Sequence, residues 1–245
     1  MNTQKPEGPR RSDGTTIDFH SMFFTIQGEG PFAGHRSIFI RLAGCNLQCP
    51  GCDTEYTAGR NVLSTGALVD KVWALVESNN FFGSTRPLIV LTGGEPLRQP
   101  VGPLVKLLLD LDFKVQIESN GFFPMDSDLT ELFWDSRSRD FVSLVISPKT
   151  AKINSDTALV ASAFKYVLDA ESIAHDGLPM QALSHPTGGK AVARPPAGWR
   201  GPIYLNPFDA GDADRNKRNL AAVVDSCMKH GYILGVQLHK LVGLE

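Results

Sequence analysis

Three cysteines fall within eight consecutive positions, Cys45-Asn-Leu-Gln-Cys49-Pro-Gly-Cys52, just after the β-branched and aromatic run Ser37-Ile-Phe-Ile-Arg-Leu42. A strand that delivers three thiols into one loop puts a metal-binding end on whatever sheet the chain builds. Three thiolates are one fewer than a closed tetrahedral zinc site or a fully ligated electron-transfer cluster uses, so the spacing implies a metal centre with an open position. The alternative is a zinc knuckle completed by His20, His35 or Cys227. Cys227 falls in the helical pattern Arg215–His230 among apolar neighbours, where a free cysteine acts as a small buried hydrophobe.

Short apolar runs beside turn residues predict further strands at Leu88–Leu91, Val115–Glu118, Val142–Ser147, Phe164–Leu168, Ile203–Asn206 and Tyr232–Leu238. Between them, Thr65–Ser78 places Leu68, Val69, Val72, Trp73 and Val76 on one helical face, and Gly102–Leu111 and Arg215–His230 show similar spacing. Strands alternating with helices define the α/β class, a largely parallel sheet covered by helices. Residues 1–15 are polar and aperiodic and read as a disordered tail, leaving 16–245 as a single domain. Residues 176–202, with Gly188-Gly189 and Pro195-Pro196, read as a long loop or insertion.

Composition narrows the function classes. A formal charge of -2 and a pI near 6.3 lack the basic footprint of a nucleic-acid binder. No apolar run approaches the roughly 20 residues needed to cross a bilayer, and the N-terminus lacks the apolar core of a secretory signal, so a cytoplasmic protein is expected. Four cysteines with this clustering do not look like a disulfide framework.

The strand-like Leu88-Ile-Val-Leu91 runs into Thr92-Gly-Gly-Glu-Pro96, placing glycines at the carboxyl end of a strand, where α/β folds bind ligands. Gly93 and Gly94 allow close backbone approach, and the Glu95 carboxylate suits an ammonium group. CxxxCxxC followed by this segment resembles the radical S-adenosylmethionine (SAM) superfamily. That resemblance implies an incomplete (β/α) barrel and a 4Fe-4S cluster on Cys45, Cys49 and Cys52. Gly51 departs from the aromatic residue often found before the third cysteine.

Further segments, Thr25-Ile-Gln-Gly-Glu-Gly30, Phe39–Cys45, Cys52-Asp-Thr54, Glu118-Ser-Asn-Gly121, Ser147-Pro-Lys149 and Gln237-Leu-His-Lys240, together resemble the 7-carboxy-7-deazaguanine synthase family over nearly the whole chain after the tail. The family converts 6-carboxy-5,6,7,8-tetrahydropterin to 7-carboxy-7-deazaguanine with SAM and Mg²⁺. In it, a 5′-deoxyadenosyl radical takes hydrogen from the pterin C6, ammonia is lost and SAM is regenerated.

The resemblance implies that Gly51, Cys52, Asp53, Gly94, Glu95, Ser147, Pro148 and Lys149 lie against SAM, and that Thr54 ligates Mg²⁺. Ile26, Gln27, Gly28, Arg41, Thr92, His239 and Glu245 would contact substrate, Arg41 as a bidentate carboxylate clamp, and Glu118 would be an acid/base or orienting group. It also implies a homodimer and an electron donor such as flavodoxin or ferredoxin. Asn206-Pro-Phe208 stands where the family usually has Gln-Pro-Met. Two rivals remain: a radical SAM activase acting on a protein partner, and a zinc or iron-sulfur module without chemistry of its own.

Overall fold

The computed structural model describes residues 3–79 and 86–244. Among these residues, nine strands form one open sheet in the order β3-β1-β2-β4-β5-β6-β7-β8-β9. These are β1 (Thr16–Ile26), β2 (Arg36–Leu42), β3 (Asn61–Ser64), β4 (Leu88–Gly93), β5 (Val115–Ser119), β6 (Val142–Ile146), β7 (Ala163–Leu168), β8 (Ile203–Pro207) and β9 (Ile233–Leu234). From β2 to β9 every pairing is parallel, whereas β1 runs antiparallel to both β2 and β3. The sheet does not close, in agreement with the incomplete barrel expected from the sequence.

Helices α1 (Thr65–Ser78), α2 (Gly102–Asp110), α3 (Ser127–Trp134), α4 (Ser155–Leu159) and α5 (Ala213–His230) contribute to the core on one face, whereas α6 (Leu238–Leu241) stands apart from that core with none of its residues buried. The expected α1 forms at its expected bounds: Ser64 caps it by accepting from Ala67 N at 3.1 Å, and Leu68, Val72 and Val76 are buried. On β2, Ile38, Ile40 and Leu42 enter the helix-side core, so alternation turns Phe39 and Arg41 to the other face. That inner face carries the polar residues.

Five elements escaped the sequence reading, β1, β3, α3, α4 and α6, the short ones because they show no period. β1 mixes polar and aromatic residues on both faces because its inner face lines a cavity. α3 and α4 are too short to show a period, although their caps, Asp126 and Asn154, are ordinary ones. The strand expected at Tyr232–Leu238 shrinks to Ile233–Leu234, because Gly235 donates to the Leu205 carbonyl and then turns the chain toward α6.

Residues 3–15 belong to the stretch whose composition reads as a disordered tail. They carry no helix or strand, yet Arg10 N–H donates to the Arg98 carbonyl at 2.7 Å and Gln4 binds the segment after the cysteines. Polar side chains here satisfy backbone groups of the body, a use that hydropathy does not register. Residues 176–202 carry no helix or strand, and Leu183 from this stretch reaches the cysteine loop. Among the described residues, no helix is long and apolar enough to cross a membrane.

Candidate active site

The loops after β2, β4, β5 and β6 open into one cavity of about 520 Å³, a size suited to a small molecule. One wall is the cysteine loop. Cys45, Cys49 and Cys52 are free thiols that all line the cavity, and the loop is shaped by Cys52 N–H donating to the Cys49 carbonyl at 3.1 Å. Leu47 N–H points at Cys45 Sγ, 3.5 Å away, as a donor would toward a thiolate. Burial pushes the Cys45 thiol up to about 12, helped by the Glu95 charge, and pushes Cys49 up to about 11. Metal binding therefore has to displace protons.

The donor chemistry fits an iron-sulfur cluster. Among the described residues no group of His, Cys, Asp and Glu forms a cage for a single metal ion. Cys45, Cys49 and Cys52 all line the one cavity, and three cysteine thiolates are a donor set that a 4Fe-4S cluster takes. The arrangement disfavours the zinc knuckle, and Cys227 lies on α5, buried in the helix-side core.

Gly93 and Gly94 line the cavity and also make a close contact that the sequence does not show. Gly93 has φ +120°, and a Cβ on Gly94 would stand 2.0 Å from the Gly44 carbonyl oxygen. The close approach is thus between the two loops, sealed by Glu95 N–H donating to that carbonyl at 2.9 Å. The Glu95 carboxylate is buried and accepts from Ser119 Oγ (2.6 Å), Asn120 N–H (2.8 Å) and Leu97 N–H (2.9 Å). Burial raises its pKa despite these donors. Its structural work is to tie the loop after β5 to the loop after β4, while Asn120 in turn donates to Asn46 of the cysteine motif at 2.8 Å.

The opposite wall is polar and pre-organised. Gln27, 2% exposed, donates to Glu118 Oε1 at 3.0 Å and accepts from Glu29 N–H at 3.1 Å. Glu118 also receives Gln116 Nε2 at 3.0 Å and Lys165 Nζ at 3.3 Å, and Lys165 forms a close ion pair with Glu29. Burial alone would raise the Glu29 carboxyl, but the Lys165 ammonium overrides it and holds the pKa at about 2; the same pairs raise the Lys165 pKa. Gln237 donates to Glu29 Oε1 at 2.8 Å, and Leu238 N–H donates to the Gly28 carbonyl at 3.2 Å. The loop after β1 thus spans the open side of the sheet.

Arg41 and Thr92 are register partners on β2 and β4 and both line the cavity. The Arg41 guanidinium lies 4.9 Å from the Phe23 ring centroid, and Phe23 stacks on Phe39 at 5.4 Å with 17° between planes. This gives a flat apolar shelf beside a cation. Ile26, Gly51, Asp53, Thr54, Ser147, Lys149 and His239 also face the cavity. Lys149 Nζ donates to the Ser147 carbonyl at 2.9 Å, burial lowers its pKa, and the Cys49 charge opposes that shift. Pro148 lies between two lining residues, and Gly28 packs so closely on His239 that a Cβ would fall 2.0 Å from Nδ1. Glu245 lies outside the described residues.

Sequence reasoning missed Phe23, Phe39, Glu29, Gln116, Lys165 and Gln237. The available signal was Lys165, a charge in the middle of the apolar strand run Phe164–Leu168. The others look ordinary until the sheet brings them together.

Comparison with known proteins follows this geometry. A family model described as a 4Fe-4S single cluster domain matches residues 26–121. The 7-carboxy-7-deazaguanine synthase of Rhodospirillum rubrum is 39% identical, covering 96% of this chain and 95% of that protein. The Rickettsia prowazekii 7-carboxy-7-deazaguanine synthase is 35% identical over 100% of this chain and 98% of its own length. The crystal structure of QueE from Escherichia coli shares the fold, with a TM-score of 0.62, 23% identity and 91% and 94% coverage of the two chains.

Proposed function

Because the chain belongs to the 7-carboxy-7-deazaguanine synthase family, we propose that it converts 6-carboxy-5,6,7,8-tetrahydropterin to 7-carboxy-7-deazaguanine with loss of ammonia. It is a radical SAM lyase that uses a 4Fe-4S cluster and SAM. One observation carries the residue assignment: a single cavity has the three thiols on one wall and Arg41, the aromatic shelf and the Gln27–Glu118–Lys165 network on the other. When bound, the cluster and SAM supply a reductively generated carbon radical.

The residues present divide the remaining work. Cys45, Cys49 and Cys52 hold the cluster, leaving one iron for SAM. Backbone groups of Gly51, Cys52, Asp53 and Gly94, with Glu95, Ser147, Pro148 and Lys149, border SAM. The Thr54 hydroxyl, 3.2 Å from Asp53 Oδ1, supplies an oxygen donor for Mg²⁺. Arg41 clamps the substrate carboxylate while its guanidinium lies over the Phe23 ring, which in turn stacks on Phe39.

Glu118, fixed by three donors, acts as an orienting acceptor for the pterin N–H edge, with Gln27 and the Ile26 and Gly28 backbone beside it. Thr92, His239 and Glu245 complete the substrate contacts. A flavodoxin- or ferredoxin-type donor supplies the electron. A second copy of the chain covers the exposed apolar residues Leu220, Val224 and Met228 of α5 and the neighbouring edge Ile233–Leu234.

The binding test uses reconstituted protein with SAM and Mg²⁺ but no reductant, so that nothing turns over. 6-Carboxytetrahydropterin is expected to bind at least tenfold more tightly than tetrahydropterin lacking the carboxylate, and Arg41→Ala is expected to abolish that difference. Equal binding of the two pterins by the wild type overturns the substrate assignment. The activase rival predicts that neither pterin binds.

A further inference from the structure

Residues 4–10 touch the cysteine loop at both of its ends. At the far end the Gln4 side-chain amide donates to the Thr54 carbonyl at 2.9 Å and accepts from Tyr56 N–H at 2.8 Å. One amide therefore satisfies two backbone groups two residues apart, as a neighbouring strand would. At the near end Glu7 N–H donates to the Cys45 carbonyl at 2.7 Å. Arg10 N–H continues the line to the Arg98 carbonyl at 2.7 Å, in the short turn Pro96–Arg98 that follows Glu95.

Charge fastens the same segment. The Glu7 carboxylate takes Arg60 at 2.8 Å and Arg98 at 3.4 Å. Both guanidiniums also hold Asp18 at the start of β1, Arg98 at 2.6 Å, and Arg10 adds a third contact at 3.3 Å. Asp18 is buried, which opposes its charge, but hydrogen bonds from Arg98 and Arg60 keep its pKa below the usual carboxylate value. The anchor is thus a body-side charge cluster that the segment joins through Glu7 and Arg10. Within the loop itself the ties include Gly44 N–H to the Tyr56 carbonyl at 3.2 Å, Tyr56 O–H to the Leu47 carbonyl at 3.3 Å, Leu47 N–H to Cys45 Sγ at 3.5 Å and the turn at Cys49–Cys52.

We propose that residues 4–10 are a strap that sets the cysteine loop and Thr54 in position against the loop after β4, with Gln4 as the positioning residue for Thr54. This rests on the reading that the loop holds the cluster and that Thr54 holds the divalent cation. A site whose ligands come from one long loop needs outside contacts to fix their geometry, and here a backbone carbonyl at each end of the ligand run is held by the strap.

The test compares Gln4→Ala, Gln4→Glu and, as a control on the exposed face of the strap, Lys5→Ala. Iron content after anaerobic reconstitution, the rate at which cluster absorbance is lost in air, the Mg²⁺ concentration giving half-maximal activity, and the melting temperature of the cluster-free protein are measured. Gln4→Ala is expected to lose its cluster several-fold faster and to need roughly tenfold more Mg²⁺, with its melting temperature within about 2 °C of wild type. Gln4→Glu keeps the acceptor for Tyr56 N–H and is expected to fall between, while Lys5→Ala matches wild type. Wild-type cluster lifetime and Mg²⁺ requirement in both Gln4 variants, or faster loss that only tracks a lower melting temperature, overturns the strap. Wild-type protein that takes up no iron refutes the cluster reading instead.

Discussion

Lys165→Met removes the one cation shared by Glu29 and Glu118 while keeping an unbranched side chain of similar length. The three side chains are 8%, 13% and 17% exposed, so the two carboxylates are left facing each other with little water to screen them. Breaking a buried pair in this way costs about 3–5 kcal/mol. For 245 residues, an unfolding entropy of about 2.1 cal/mol/K per residue gives on the order of 0.5 kcal/mol per kelvin, so the melting temperature should fall by about 6–10 °C.

The pH dependence gives this prediction its sign. In the wild type Glu29 is held at about 2, below the ordinary 4.5, so its stabilisation is present above pH 4.5 and is lost as pH falls toward 2. In the variant burial is no longer overridden and the folded-state Glu29 carboxyl rises above its unfolded value, so stability is lost as pH rises through that ordinary value. The gap between variant and wild type should therefore shrink from pH 8 to pH 5. Adding Glu29→Gln should recover more than half of it, because one of the two uncompensated charges is gone. Thermal melts of the cluster-free protein across this range provide the assay. A shift under about 2 °C, or one that is the same at both pH values, refutes the shared-cation reasoning.

Cys49→Ala should lower iron content after reconstitution by more than tenfold, and retention of wild-type iron would remove Cys49 from the ligand set. Gly94→Ala forces a Cβ to 2.0 Å from the Gly44 carbonyl and should cost about 2–3 kcal/mol while pushing the two loops apart, read as lower melting temperature and lower iron uptake. Leu183 sits at φ +50°, lines the cavity and accepts from Gly51 N–H at 2.9 Å. Leu183→Gly should leave stability unchanged or raise it by up to about 1 kcal/mol, yet speed cluster loss in air because a wall side chain is gone. Slower unfolding with unchanged cluster lifetime would show that Leu183 covers nothing.

What the sequence disclosed followed from locality. Helix-side strand runs such as Leu88–Leu91 and Val142–Ile146 are apolar on both faces near the centre of a parallel sheet, so their positions were readable from hydropathy alone. The thiols were readable because cluster chemistry needs three of them close together in the chain. The polar wall was not, because Gln27, Glu118, Lys165 and Gln237 come from four separate segments and are joined only by the order of the sheet. The contacts of the N-terminal segment were not readable for a related reason: Gln4 and Glu7 gain their meaning from backbone groups more than 35 residues away. The glycines of Thr92–Pro96 were located correctly, but their closest neighbour is the Gly44 carbonyl, a loop-to-loop contact that composition does not show.

The most direct test of the central claim is mass detection of product after anaerobic reconstitution with iron and sulfide, reduction, and incubation with SAM, Mg²⁺ and 6-carboxytetrahydropterin. The expected result is 7-carboxy-7-deazaguanine together with an equal amount of ammonia, with no product from Cys49→Ala. A reduced cluster that cleaves SAM without yielding the deazaguanine would contradict the substrate assignment. Failure of a well-controlled preparation to form any SAM-responsive cluster would contradict the account of the site as a whole.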